Sequence, residues 1–75
     1  MAKVILDPAQ RAEEKINAWI LLQMRYQNKT QSDIGEVLGL RGKNVGDRIN
    51  GATPWKFGEL YRVVTWLGGK FEDIL

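Results

Sequence analysis

Seventy-five residues, 44 % of them hydrophobic, with three tryptophans and a formal net charge of +2, describe one small folded module. A chain this short hides only roughly 60 % of the surface it exposes when unfolded and has no second domain to close over a cleft. The absence of cysteine and histidine excludes zinc fingers, disulfide frameworks, cysteine–histidine nucleophiles and the usual imidazole base.

The basic balance is uneven along the chain. From Arg25 to Arg62, seven basic residues (Arg25, Lys29, Arg41, Lys43, Arg48, Lys56, Arg62) stand against four acidic ones (Asp33, Glu36, Asp47, Glu59), a segment net of +3, while the remainder is slightly acidic. The longest apolar run, Ala18 to Leu22, falls far short of the roughly 20 residues that cross a bilayer. The first fifteen residues also lack the apolar core of a signal peptide. A cytoplasmic protein is the expectation, with no membrane partner.

In chain order, "MAKVIL" has no cap signal and reads either as an extended arm or as a frayed lead-in, so residues 1 to 7 are set apart as an arm. Asp7 before Pro8 is a strong helix start: Asp caps free N–H groups, and proline's fixed φ and missing donor suit the first helical position. The helix is expected to run to Gln27 or Asn28, with Ile16, Trp19, Ile20 and Met24 on one face. A second start lies at Thr30, where "TQSD" resembles a capping box with Asp in place of Glu. The helix it opens, "QSDIGEVL", carries Ile34, Val37 and Leu38 as its apolar stripe and ends at Gly39, the expected left-handed cap.

After the turn "GLR", the segment from Gly42 to Asn50 has Val45 and Ile49 four residues apart, a narrow apolar face under a mostly polar one, and Gly51 closes it. Pro54 in "ATPW" disfavours a helix through the residue before it. A fourth helix is expected from Lys56 or Phe57 to Leu67, with Phe57, Leu60, Val63, Val64 and Leu67 as its stripe. Gly68 and Gly69 end it, and "KFEDIL" adds a last turn with Phe71, Ile74 and Leu75 facing inward. No strand alternation, repeat or low-complexity tract is visible. The expected fold class is all-α: a compact bundle of four to five helices in a single domain over residues 1 to 75.

The second and third helices with their tight turn span residues 30 to 50, the size of a helix-turn-helix. Here "TQSDIGEVLGLRGKNVGDRING" and the following "TPWKFGELYRVVTWLGGKFEDIL" resemble the lambda-repressor-like (Cro/CI, XRE) helix-turn-helix domains. Thr30 and Gln31 match the start of the first motif helix, Ile34 and Leu38 its buried positions, and Gly39 and Leu40 the turn. Val45 and Ile49 match the packed face of the recognition helix, and the resemblance covers about Ile16 to Leu75.

The resemblance implies a sequence-specific binder of double-stranded DNA, a small transcriptional regulator such as a phage or prophage Cro-like or immunity repressor. It implies that Gln31 contacts a phosphate at the positive end of its helix. It also implies that Gly42, Lys43 and Asn44 form the base-reading first turn of the recognition helix, with Asp47 and Arg48 one turn further on, and that Asn50 and Lys56 add backbone contacts. Side-chain chemistry supports part of this independently: Asn44 suits adenine, and Lys43 or Arg41 suits guanine O6 and N7. Relatives usually act as dimers on paired half-sites, so a homodimer is expected, at least on DNA, with Trp66, Phe71 and Leu75 as its candidate interface.

Three positions depart from the family pattern. Gly42 stands where many relatives carry glutamine or arginine. Gly46 lies inside the recognition helix, at a cost of about 1 kcal/mol relative to alanine, and suggests close approach either to DNA or to a neighbouring helix. Asp47 sets a negative charge near phosphates unless Lys43 or Arg48 neutralises it. Lys29 and Gly69 also take positions that are usually apolar.

Other readings of the same residues are weaker. "GLRG" matches the G-x-x-G loop of KH domains, but these need a sheet. The P-loop pattern fails at Val37 and Asn44. Trp19, Trp55 and Phe57 are expected in the core, while for Trp66 packing and an exposed place at an interface weigh equally. Glu13 and Glu14 point to different sides of their helix, and nothing else forms a catalytic constellation. No enzyme activity, metal, cofactor or small ligand is therefore expected. The competing class is a protein-interaction module on the same scaffold, antitoxin-like or a phage accessory protein.

Overall fold

The computed structural model describes residues 7–75; the arm expected over residues 1 to 7 lies outside that range except for Asp7. Five helices follow one another: α1 Pro8–Gln27, α2 Gln31–Leu38, α3 Gly42–Ile49, α4 Phe57–Trp66 and α5 Phe71–Ile74, with no strand among the described residues. The fold is all-α.

The helix ends follow from local hydrogen bonding. Asp7 Oδ1 accepts the N–H of Gln10 at 2.8 Å, and Gln10 Oε1 returns the favour to the N–H of Asp7 at 3.1 Å, so two orphan donors of α1 are satisfied reciprocally. Thr30 and Asp33 repeat the device at α2, at 3.1 and 2.8 Å. α1 ends at Asn28 in the left-handed region (φ 57°), a conformation that asparagine tolerates better than most residues, and the Lys29 N–H closes onto the Met24 carbonyl at 2.8 Å. Gly39 (φ 72°) caps α2 as expected.

The core is one cluster: Ile16, Ile20 and Met24 from α1, Ile34 from α2, Val45 and Ile49 from α3, and Leu60, Val63, Val64 and Leu67 from α4 and its end. Burying each such aliphatic side chain is worth roughly 1.5–3 kcal/mol. α2 packs on α3 and α4, and α1 packs on α3 and α5. Three polar ties reach across elements. The indole N–H of Trp55 donates to Asn17 Oδ1 at 2.6 Å, and Gln27 Nε2 donates to the Leu67 carbonyl at 2.7 Å, occupying a free acceptor at the C-terminus of α4. Arg48 joins Glu59 between α3 and α4.

Two expectations are corrected. Phe57 is not a core residue but 74 % exposed. As the first residue of α4 it projects beyond the packed layer that begins at Leu60, and its ring lies beside Tyr61 and Phe71 with centroids 6.2 and 6.1 Å away. Leu75 does not face inward; it follows the last helical turn and is 56 % exposed. Trp19, Trp55, Leu38, Phe71 and Ile74 are half-buried against the cluster, and Val37 is likewise half-buried.

Gly69 has a packing reason. A Cβ there would coincide with the edge of the Trp19 indole, so the larger residue usual at this position is replaced by the tryptophan ring itself. Gly69→Ala is expected to destabilise the chain by about 1–3 kcal/mol through overpacking. Thermal melting checks this, and an unchanged midpoint would mean that Trp19 moves aside freely.

Candidate nucleic-acid interface

The helix-turn-helix is α2, the turn 39–41 and α3. Its tightness has a backbone cause: the Leu40 N–H donates to the Gly35 carbonyl at 2.8 Å, and a Cβ on Gly35 would run into the Leu40 carbonyl oxygen. Only a residue without a side chain lets the turn fold back so closely. The two unexplained glycines of α3 belong to the same contact. A Cβ on Gly42 would sit 3.3 Å from Ser32 Oγ, and one on Gly46 would sit 2.8 Å from Gln31 Oε1 and 3.2 Å from Gln31 Nε2. Of the two alternatives open for Gly46, the close neighbour is a helix: the first two residues of α2 rest on glycines one turn apart on α3.

With Val45, Gly46 and Ile49 buried, α3 turns Lys43 and Asn44 outward; Arg41 at its N-cap is exposed too, and Gly42 is half-buried beside them. No side-chain hydrogen bond caps α3, so its first N–H groups keep their partial positive end directed away from the core. Gln31, exposed at the start of α2, is brought to the same contact zone through its seat on Gly46. Asn50 and Lys56 are exposed beyond the other end of α3, whose eight residues make it roughly 12 Å long.

Arg48 is not available as an outward reader. Its Nε and Nη2 donate to the two Glu59 carboxylate oxygens at 2.8 and 3.3 Å, and Nη1 donates to the Asn44 carbonyl at 3.0 Å. The paired side chains are only 12 % and 13 % exposed. Asp47 therefore has no neutralising help from Arg48. Lys43, one turn before it, is the cation in helical reach, though no ion pair among the described residues joins them. The Asp47 carbonyl accepts the N–H groups of Ala52 and Thr53 at 2.8 and 3.1 Å, which ties α3 to the following connector.

Electrostatics at the start of α2 are mixed. The N–H of Thr30 and its hydroxyl hold Asp33 below the usual carboxylate range, against a little desolvation and with help from Lys29. Asp33 thus remains an anion beside the helix end that would receive a phosphate, and Lys29 offsets it. Lys29 Nζ also lies 5.1 Å from the ring centre of Trp66, within cation–π range. That indole is 37 % exposed, intermediate between the packed and interface readings. Phe71 joins Phe57 and Tyr61 in one exposed aromatic group, and Leu75 borders a shallow hollow with Pro8, Arg11, Ala12 and Lys15.

No protein-family model, curated protein or solved structure matches this chain. Among the described residues, no helix is long and apolar enough to cross a membrane.

Glu59 is the functional neighbour that sequence reasoning misses. "KFGE" spaces it three residues after Lys56, whose N–H it accepts at 3.0 Å, but nothing local announces Arg48 as its partner. Burial pushes the Glu59 carboxyl up; the hydrogen bond from Arg48, that from the Lys56 N–H and the charges of both residues outweigh it and hold the group below its ordinary value of 4.5. Because the folded value is the lower one, the carboxylate's stabilisation is complete above 4.5 and is lost as pH falls from there through the folded value. Glu59→Gln is expected to lower stability by about 1–3 kcal/mol at neutral pH, with the gap to the native chain narrowing as pH drops below 4.5. Urea unfolding at neutral and acidic pH checks this; a constant gap would remove ionisation from the account.

Proposed function

We propose that this chain binds double-stranded DNA sequence-specifically as a small transcriptional regulator, with α3 in the major groove and the start of α2 against the phosphate backbone. The observation that carries the reading is the exposed first turn of α3, with Arg41, Lys43 and Asn44 turned outward while α2 is held against its opposite side by glycines. The resemblance of residues 30 to 51 to the Cro/CI helix-turn-helix pattern supports the same reading and favours a phage or prophage type of repressor in the cytoplasm; that step is analogy.

In this reading Lys43 and Arg41 donate to guanine, Asn44 pairs with adenine, and Gln31, Asn50 and Lys56 set register on phosphates. Arg48 changes role. It braces α3 against α4 through Glu59 and so holds the reading helix at a fixed angle. Asp47 suits a cytosine N4 donor.

Binding should weaken steeply with salt, since each phosphate neutralised contributes a slope of about −0.9 in log affinity against log salt. A titration of selected and random duplexes between about 50 and 200 mM salt tests this, and flat or absent binding would reject DNA as the partner. Asn44→Ala is expected to reduce preference for the selected site by about 1–3 kcal/mol while sparing general affinity, and Gln31→Ala to weaken all sequences alike. The reverse pattern would refute the assignment.

The exposed group Phe57, Tyr61 and Phe71 favours a protein contact on the α4–α5 side. A second copy of the chain on an adjacent half-site satisfies both this surface and the DNA reading. Sedimentation with and without the selected duplex should give two chains per site; one chain per particle in both runs would reject the dimer. In that event, or with no DNA binding at all, the face belongs to a protein-interaction module.

A further inference from the structure

Gly46 is in an unusual position for a glycine. It lies in the middle of an eight-residue helix, where glycine is a poorer helix former than alanine. It is not among the residues with positive φ, so its backbone conformation is open to any residue. What it supplies is space: Gly46 is buried, and the atoms that fill the place of a side chain all belong to the Gln31 amide, Oε1 at 2.8 Å and Cδ and Nε2 at 3.2 Å from an ideal Cβ.

Gln31 is otherwise unrestrained. It is exposed, and none of the side-chain hydrogen bonds described above involves its amide. A long polar side chain of this kind loses rotamer freedom when it is ordered on a ligand. A hollow in the facing helix that already restricts it removes part of that cost before binding. The neighbouring pair behaves similarly but more loosely, since a Cβ on Gly42 meets Ser32 Oγ at 3.3 Å, a gap that a few tenths of an ångström would relieve.

We infer that Gly46 is a positioning residue for DNA binding: its missing side chain forms a seat on α3 that holds the Gln31 amide at the junction of the two motif helices. The inference rests on the DNA-binding reading and adds to it a residue that touches no DNA. It also accounts for a glycine that weakens its own helix.

The test uses four full-length proteins: native, Gly46→Ala, Gln31→Ala and the double variant. Each is measured by thermal melting and by affinity for the selected duplex and for a random-sequence duplex at one salt concentration. Gly46→Ala should melt no lower than the native chain, because alanine is the better helix former and only the end of a flexible side chain must move. It should lose about five- to tenfold in affinity on both duplexes, as expected for one weakened hydrogen bond to a charged group. In the Gln31→Ala background the same change should alter affinity less than about twofold, because residues that act through one another are not additive.

An equal loss in both backgrounds, native-like affinity of Gly46→Ala, or a lowered melting point would each overturn the inference while leaving DNA binding intact. Failure of the native chain to bind either duplex would instead overturn the DNA-binding reading. The seat itself is read separately by NMR: nuclear Overhauser contacts between the Gln31 side-chain amide and the Gly46 α-protons should be present in the native chain and lost in Gly46→Ala. Their absence from the native chain would overturn the seat whatever the DNA result.

Discussion

The distance between α2 and α3 is the constraint on which the rest of the structure depends. Three glycines set it: Gly35 lets the turn fold back under Leu40, and Gly42 and Gly46 receive the first two residues of α2. Ordinary helix pairs stand 8–10 Å apart, the separation being governed by the side chains at the contact. Where those side chains are hydrogen atoms, the helices close in and Val45 and Ile34 both become fully buried. A larger residue at Gly35 would meet backbone, which cannot rotate away, whereas at Gly46 it would meet only a side-chain amide. The turn is therefore rigid where the fold needs it, and the adjustable contact lies where the proposed ligand approaches.

The other elements hold this pair from behind. α1 and α4 supply most of the remaining core, and each polar tie joins a helix to a segment distant in sequence. Arg48 is the instructive case. Its partner Glu59 also accepts the first backbone donor of α4, so one carboxylate fixes the start of α4 and the orientation of α3 together. Because the pair is mutually neutral, the outward charge near α3 reduces to Arg41 and Lys43 against Asp47. A face with so small a charge surplus draws little from non-specific attraction to phosphates. Under the proposed function, discrimination must then come from the side chains of the first turn and not from bulk charge.

How much of this was legible in the sequence follows from how local each cause is. The bounds of α1, α2 and α3 are visible because caps operate within three or four residues: Asp7 with Pro8, Thr30 with Asp33, and Gly39 as a left-handed stop. The core stripe was legible where it repeats inside one helix, as at Ile16, Ile20 and Met24. Phe57 matched the same periodicity and still lies outside, because periodicity says which side of a helix a residue is on and not where the packed layer ends. Arg48 was read as a free cation because its partner stands 11 residues away in another helix. Gly42 and Gly46 were visible as anomalies but not as a contact, since a glycine's function is defined by the neighbour that fills its space.

The aromatic group at Phe57, Tyr61 and Phe71 bears on how a module this small would work. Three rings of at most roughly 150–250 Å² each, one of them already half-buried, offer well under the roughly 800 Å² per partner typical of a stable association. Such a face does not support a dimer that persists at low concentration in solution. Two copies seated on neighbouring half-sites are in a different regime, where tethering raises the effective concentration of each for the other towards the millimolar range. A weak apolar contact then becomes a cooperative one, and it forms only where both half-sites are present. Under the proposed function the modest size of the patch is thus an advantage: a stronger one would dimerise the chain everywhere and remove the requirement that DNA bring the two copies together.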